Sequence, residues 1–82
     1  MYDLSQMTYI EAKKKILLCD AIIVPLGSVE QHGYVLPLNT DNIICMHIIN
    51  DLCERFNLAH LPLVPFGQTW SSSNFPGTLS IA

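Results

Sequence analysis

The first ten-residue segment with helical spacing of apolar side chains covers residues 9–18. Thr8 and Glu11 stand three positions apart at its start, which is the spacing of a capping box, so we expect Thr8 to accept a hydrogen bond from the Glu11 N–H. The predicted apolar stripe of this helix comprises Tyr9, Ala12 and Ile16. The lysine run at 13–15 lies in its C-terminal half, where cations suit the helix dipole, and we interpret it as a solvated face.

Two short runs are apolar on both alternating faces, as in strands that are buried in a parallel sheet. They cover residues 21–26 and 61–66, and a glycine follows each of them. A loop at 27–40 and a second amphipathic segment separate the two runs. The order strand, helix, strand predicts an α/β fold with a mainly parallel sheet and a right-handed crossover.

The second predicted helix follows the loop, with Thr40 as the candidate N-cap. Asp51 and Arg55 are four residues apart on it and can pair. Its predicted core stripe is Cys45, Ile48, Ile49, Leu52, Cys53 and Phe56, and the positions predicted to lie mostly off the stripe are Asn42, His47, Asn50, Asp51, Glu54 and Arg55. Further along, residues 75–78 predict a turn in which Gly77 takes a positive φ.

Composition narrows the class of protein. The chain has 82 residues, is 50% hydrophobic and carries a net charge of −3, which excludes disorder and allows one domain at most. Only four residues are basic and no basic stripe alternates with aromatics, so nucleic acid is not an expected partner. No apolar stretch approaches the roughly 18 residues of a membrane span, and no secretory signal is recognisable. Three cysteines without a CxxC pair predict a reduced, cytoplasmic protein.

The charge is unevenly distributed along the chain. No Asp, Glu, Lys or Arg follows Arg55, although this last third contains Phe56, Phe66, Trp70 and Phe75. Surfaces of isolated domains normally carry mixed charges throughout. We therefore expect residues 1–82 to be the N-terminal part of a single larger domain and to be incomplete alone.

The loop at 27–40 carries the candidate chemistry, because ligands of α/β sheets bind beyond the carboxyl ends of the strands. Glu30 and His32 are two residues apart and can point to the same side of an extended segment. Asp41, in the first turn of the second helix, points back toward the same edge. This mixture of carboxylates and imidazole suits Zn²⁺ or Mn²⁺, and a carboxylate between two ions can bridge them.

Each of these residues also has a purely structural interpretation. Glu30 can be an exposed loop acid, His32 a hydrogen-bonded loop histidine, and Asp41 an acid that suits the helix dipole. Spacing alone leaves both interpretations open, because motif matches of this kind carry false positives.

The residue pattern is more specific than the spacing. VPLGSVEQHG at 24–33 and LPLNTD at 36–41 resemble the N-terminal signature of the creatininase (creatinine amidohydrolase) family, which reads approximately VPxGSxEQHGxHLPLxTD. VPFG at 64–67 and FPGTLS at 75–80 are similar to a later segment of the same family. The resemblance extends over almost the whole chain, and that length is about the first third of a typical family member.

The resemblance implies a three-layer αβα fold and a metal-dependent amidohydrolase, commonly a homo-hexamer. Glu30 and His32 would bind two different divalent ions, Zn and/or Mn, and Asp41 would bridge them. The implied reaction is hydrolysis of a cyclic or non-peptide amide C–N bond in a small molecule by a water that the two metals activate. The family's remaining His and Glu ligands lie downstream of the matching region, so activity would require a further portion or a second polypeptide.

The chain departs from the family pattern near the expected substrate region. Val35 stands where the family usually has His, and Asn39 where Gly is usual. The segment Ser71–Asn74 replaces a Glu-His pair that many members have. These departures leave the three ligands intact but make creatinine itself an unsafe assignment.

Two other kinds of function remain open. The chain can be a non-catalytic partner that binds or completes a larger creatininase-like chain, although the intact ligands argue against this. A free-standing binding module is disfavoured by the charge-free stretch.

The other candidate residues have plainer interpretations. We expect a solvated helix face for His47 and Asp51, a loop position for His60, packing for Cys45 and Cys53, and a polar loop for Ser71–Ser73. Trp70 can serve either in substrate stacking or at an interface.

Overall fold

The computed structural model describes residues 2–80 of the chain. A 3₁₀ turn at Leu4–Gln6 precedes helix α1 (Tyr9–Leu18), strand β1 (Ala21–Ile23), helix α2 (Thr40–Arg55), strand β2 (Leu58–His60) and a second 3₁₀ turn at Trp70–Ser72. None of the helices in this part of the chain is long and apolar enough to cross a membrane.

Helix α1 has the predicted bounds and the predicted cap. The Glu11 N–H donates to the Thr8 hydroxyl oxygen at 3.2 Å, and that hydroxyl donates to the Glu11 carboxylate at 2.9 Å. The apolar stripe, however, is not covered by any other described segment: no residue of α1 is buried, and Tyr9 is 84% exposed. The local cap therefore defines where the helix starts, while its apolar face is left without a packing partner.

The two strands pair in parallel, as predicted, and α2 forms the connection between them. Ala21 pairs with Leu58 and Ile23 with His60. The prediction that the second strand covers residues 61–66 is wrong, because the regular ladder ends at His60. Beyond β2 the Leu61 and Val64 N–H groups still donate to the Ile23 and Pro25 carbonyl oxygens, at 2.9 and 3.0 Å. Pro25, however, has no N–H to donate in return, and the pairing there is reduced to an isolated bridge between Leu26 and Val64.

The shift of the second strand also changes the place of His60. It was predicted in a loop but is the last residue of β2 and is buried, with its Nδ1 atom 2.8 Å from the Leu61 carbonyl oxygen. Its backbone N–H donates to the Tyr2 carbonyl oxygen at 2.9 Å. This backbone hydrogen bond helps to fix the N-terminal segment beside the sheet.

Helix α2 begins at Thr40, the residue predicted to be its N-cap, and the cap lies one residue earlier. Asn39 occupies the N-cap without a capping side-chain bond, and the Thr40 hydroxyl donates backward to the Pro37 carbonyl oxygen. The Asp51–Arg55 pair forms as predicted, with Nε and Oδ1 3.1 Å apart, on an exposed face where such a pair adds little stability.

The buried face of α2 differs in part from the predicted stripe. The buried residues are Asn42, Ile49 and Cys53. Ile48 and Phe56, which were predicted to be core residues, are 55% and 60% exposed. Asn42 is buried because its amide lies directly against the backbone of Gly27, where a Cβ atom would come within 1.6 Å of the Asn42 Oδ1 atom. Spacing along the helix does not reveal such a contact with the end of β1.

The core among residues 2–80 is small. Its buried apolar side chains are Leu4, Pro25, Ile49, Cys53 and Ala59. Ile22, Val24 and Leu26 of the apolar run are between 40% and 69% exposed, so the expected cover on both faces of this strand is not supplied by the described residues. The three cysteines are free thiols, in agreement with the expectation from their number and spacing.

Candidate metal centre

The loop that follows β1 folds back on itself before α2 begins. The Glu30 N–H donates to the Leu38 carbonyl oxygen at 3.2 Å, which closes the loop at its base. Gly33 has a φ of +78° and reverses the chain immediately after His32. The side chain of Gln31 accepts a hydrogen bond from the Gly33 N–H at 2.9 Å and supports this reversal. The fold of the loop therefore holds Glu30 and His32 on either side of Gln31, whose side chain is hydrogen-bonded within the loop.

The turn at residues 75–78 supports the same loop from outside. The Gln31 N–H donates to the Thr78 hydroxyl at 3.0 Å, and the Leu79 N–H donates to the Val29 carbonyl oxygen at 2.8 Å. Gly77 has the predicted positive φ, +84°. The sequence predicted this turn but not its role, because nothing in the pattern connects residues 47 positions apart.

Glu30, His32 and Asp41 come together at the carboxyl end of β1. One potential ligand atom from each lies within 4.8 Å of the other two, and all three residues are half-buried. The Nε2 atom of His32 is 3.4 Å from the Oδ2 atom of Asp41, with the two side chains 23% and 39% exposed. The loop and the first turn of α2 thus converge as predicted.

Ser28 is a polar neighbour of this cluster that sequence reasoning did not identify. Its hydroxyl donates to the Asp41 Oδ2 atom at 2.6 Å. This hydrogen bond is the largest influence on the pKa of Asp41, which lies below its usual value; partial burial acts in the opposite direction, and the neighbouring His32 and Glu30 add to the lowering. The carboxyl group of Asp41 is consequently ionised near neutral pH. The only sequence signal for Ser28 is its position within the motif.

The donor set fits a divalent metal. The Nε2 atom of His32 is buried and has no well-formed hydrogen bond among the described residues, since its contact with the Asp41 Oδ2 atom at 3.4 Å is longer than an ordinary N–H···O bond. It lies beside two carboxylates, and such a combination of one imidazole and two carboxylates is typical of zinc and manganese sites. A cation held by these three residues would give this nitrogen a closer partner than the Asp41 carboxylate.

The remaining candidates from the sequence do not join this cluster. His47 and Asp51 lie exposed on α2, as their interpretation as a solvated face predicted. Cys53 is buried, and this burial raises the pKa of its thiol, which is consistent with packing and not with reactivity. Trp70 is 68% exposed in the short 3₁₀ turn, so both of its interpretations remain predictions.

The fold and the cluster together define a class: an α/β protein with a carboxylate–imidazole site at the carboxyl end of a parallel strand. A family model described as Creatininase: Creatinine amidohydrolase matches residues 5–82. The chain therefore belongs to the creatininase family, a family of amidohydrolases.

Curated relatives of two kinds match the chain. A mycofactocin precursor peptide peptidase of Mycolicibacterium smegmatis is 38% identical over 66 residues, which cover 73% of this chain and 27% of the relative. A creatinine amidohydrolase of Pseudomonas putida is 24% identical over 82 residues, which cover 93% of this chain and 32% of the relative. The chain thus spans about a third or less of the length of these relatives.

Solved structures agree on the fold. A crystal structure of creatinine amidohydrolase (creatininase) superposes with a TM-score of 0.87 at 24% identity, covering 98% of this chain and 33% of that one. A structure named Creatininase Mn gives 0.87 at 23% identity, and a Zn-Zn type creatininase variant gives 0.84 at 23%. The chain therefore has the fold of part of a creatininase, an αβα protein, as predicted.

Proposed function

We propose that this chain contributes half of a two-metal centre to a metal-dependent amidohydrolase. In this proposal Glu30 and His32 bind two different divalent ions, Zn and/or Mn, and Asp41 bridges them. The observation that carries the proposal is the convergence of one potential ligand atom from each of the three residues within 4.8 Å, including a buried imidazole nitrogen that has no well-formed hydrogen bond among the described residues. The zinc and manganese forms among the similar structures support the choice of metals.

Two bound divalent ions would supply a water with a pKa near 7 and would polarise the carbonyl of an amide. The chain's own residues would do the rest of the work in this part of the site. The folded loop fixes the separation of Glu30 and His32, and Ser28 holds one oxygen of the Asp41 carboxylate. The bond broken would be the C–N bond of an amide, with the water adding its oxygen to the carbonyl carbon and a proton passing to the departing nitrogen.

The substrate we propose is a small molecule with a cyclic or non-peptide amide. Creatinine itself is not proposed, since Val35 and Ser71–Asn74 differ from the family pattern near the expected substrate region. A peptide amide is a second candidate, because the relative with 38% identity is named as a precursor peptide peptidase, whereas the creatinine amidohydrolase is 24% identical. Both candidates use the same hydrolytic chemistry.

The proposed active form contains more protein than these 82 residues. The relatives are about three times as long, and three ligands shared between two ions leave both ions short of protein donors. We propose that the rest of the enzyme or a second polypeptide supplies the missing His and Glu, in a homo-oligomer that family resemblance suggests is a hexamer. The alternative is a non-catalytic partner that completes or binds a larger creatininase-like chain.

Substitution of the bridging carboxylate tests the proposal. The protein, purified with any polypeptide that accompanies it, is expected to contain Zn²⁺ or Mn²⁺ and to hydrolyse amides. Asp41→Asn keeps the size of the side chain but removes its charge, so metal content and hydrolysis should both fall at least tenfold. Asp51→Asn is the matched control, because that carboxylate lies exposed on the same helix.

The outcomes separate the two hypotheses. Metal-free protein, or hydrolysis unchanged by Asp41→Asn, contradicts the enzyme hypothesis. A purified assembly that contains metal but hydrolyses neither cyclic nor peptide amides supports the non-catalytic alternative. Comparison of a cyclic amide with a short peptide as substrate distinguishes the two substrate classes.

A further inference from the structure

We propose that Ser28 is a positioning residue that sets the orientation of the Asp41 carboxylate for metal binding. This inference rests on the proposed function, since it concerns how one of the proposed ligands is held. Ser28 itself is not proposed to contact the metal or the substrate. Its role follows from three observations. These are the geometry of its hydrogen bond to Asp41, the restraint of its own backbone, and the fact that Ser28 and Asp41 belong to different elements.

The hydrogen bond is short and directed at one carboxylate oxygen. The Ser28 hydroxyl lies 2.6 Å from the Asp41 Oδ2 atom, within the range of a charge-assisted bond. The same Oδ2 atom is the one that lies 3.4 Å from the Nε2 atom of His32. A carboxylate offers about four lone-pair sites. One donor at Oδ2 therefore restricts the rotation of the group and still leaves lone pairs on both oxygens.

The backbone on both sides of Ser28 is restrained. On one side, the Gly27 N–H donates to the Val64 carbonyl oxygen at 2.9 Å. On the other side, the Val29 carbonyl oxygen accepts from the Leu79 N–H at 2.8 Å. These bonds connect the segment to two distant parts of the chain. The hydroxyl of Ser28 is consequently a fixed point from which to orient a neighbouring group.

The two partners come from different elements. Ser28 lies just beyond β1, whereas Asp41 lies in the first turn of α2, thirteen residues later. A side chain at a helix start moves with the helix, while Glu30 and His32 move with the loop. The Ser28–Asp41 bond couples the two, so that the carboxylate keeps its position relative to the other two ligands. Hydrogen-bond partners of metal ligands typically account for 10–100-fold of metal affinity.

Zinc affinity measured by competition with a chromophoric chelator tests this role. The protein is used in the assembly in which it is purified. Ser28→Ala is expected to weaken Zn²⁺ binding by about 10–100-fold. Ser28→Thr retains the hydroxyl and should recover most of the affinity. Ser28→Cys nearly preserves volume but donates weakly, so it should resemble Ser28→Ala and provides a second reading if the alanine variant folds poorly.

A matched control exists in the same chain. The Ser5 hydroxyl donates to the Asp3 carboxylate at 2.7 Å, which is the same chemistry at an exposed position in the N-terminal 3₁₀ turn. Ser5→Ala should leave Zn²⁺ affinity unchanged. In the cobalt-substituted protein, Ser28→Ala should also shift the visible absorption bands, because they report ligand orientation, and Ser5→Ala should not.

The possible failures are distinguishable. If the unmodified protein binds no Zn²⁺ or Co²⁺, the proposed function fails and this inference fails with it. If the unmodified protein binds metal and Ser28→Ala binds it equally tightly with an unchanged cobalt spectrum, the proposed function stands and the role of Ser28 is overturned. A lower thermal stability of metal-free Ser28→Ala with unchanged Zn²⁺ affinity would likewise overturn it, since Ser28 would then only tether α2 to the sheet.

Discussion

At the scale of single residues, the chemistry of the candidate site comes from the residue types in the motif, whereas the placement of its side chains comes partly from the fold. The side chains of Glu30 and His32 are two positions apart, and the alternation of an extended segment already predicts that they point the same way. Asp41 joins them because α2 starts beside the loop. Ser28 completes the arrangement through one hydrogen bond, which the sequence does not display.

We expect His32→Ala to reduce metal occupancy severely and Val35→Ala to leave it nearly unchanged. The imidazole of His32 offers a buried nitrogen that has no well-formed hydrogen bond among the described residues, whereas Val35 is 91% exposed and has no ligand atom. Elemental analysis of the two purified variants measures the difference. Equal metal content in both would show that His32 is not a ligand.

At the scale of elements, the loop at 27–40 depends on the turn at 75–78. We call this loop the ligand loop, because it carries the proposed ligands Glu30 and His32. Thr78 and Leu79 each form one hydrogen bond with the stretch between Val29 and Gln31, and Gly77 packs against Leu38 from the closing end of the loop. A turn far away in sequence therefore acts as a scaffold for the candidate metal centre. Changes in this turn should be transmitted to the site.

Gly77→Ala is expected to destabilise the protein more than Gly33→Ala. Both glycines have positive φ values, which cost other residues about 1–2 kcal/mol. An alanine Cβ at position 77 would in addition come within 2.4 Å of the Leu38 side chain, whereas at position 33 it would meet nothing within 4 Å. Chemical denaturation of the assembled protein compares the two variants.

The metal content of the same two variants adds a second reading. Because Leu38 accepts the hydrogen bond that closes the ligand loop, displacement of its side chain in Gly77→Ala should also lower metal occupancy. Gly33→Ala variants that prove equally or more unstable than Gly77→Ala would contradict the contact-based explanation.

At the scale of the whole molecule, residues 2–80 do not enclose a complete core. The radius of gyration is 15.2 Å, against about 12 Å for a compact domain of this length. The accessible surface is 5859 Å², against about 4,900 Å² for a folded monomer of this mass. Large apolar side chains contribute to this surface, with Tyr9, Leu17, Leu18 and Leu26 each more than two-thirds exposed.

Residues 1–82 expressed alone are expected to aggregate or to fold poorly. Below about 70–80 residues a single core rarely supplies more than 3–5 kcal/mol, and within residues 2–80 the sheet has two short strands with open edges. Metal cannot rescue the fragment, because three ligands would be shared between two ions. Circular dichroism, amide NMR dispersion and thermal melting of the isolated chain test this expectation.

Addition of the downstream region that we propose to complete the domain is the corresponding positive control. Co-expression with a polypeptide that supplies the remaining strands and the further His and Glu ligands should restore both folding and metal uptake. A monomeric 1–82 chain with a cooperative thermal transition and well-dispersed amide signals would show that the small core is sufficient.

The sequence by itself determined the features that depend on neighbouring residues. The capping box starts α1 at Tyr9, glycine permits the positive φ at position 77, and β-branched runs separated by a helix specify parallel strands with a crossover. The motif around Glu30, His32 and Asp41 also identified the family correctly, because a residue pattern of this length is specific where spacing alone is not.

Only the tertiary structure decided the features that depend on distant residues. The second strand lies at Leu58–His60 and not at 61–66, since Pro25 in the first run has no N–H to continue the regular ladder beyond Ile23. Asn42 is buried because the backbone of Gly27 approaches it, and Thr78 and Ser28 act on the ligand loop and on Asp41 across 47 and 13 residues. Contacts of this kind form between segments that are distant in sequence. The local pattern of apolar and polar positions does not predict which segments will come into contact.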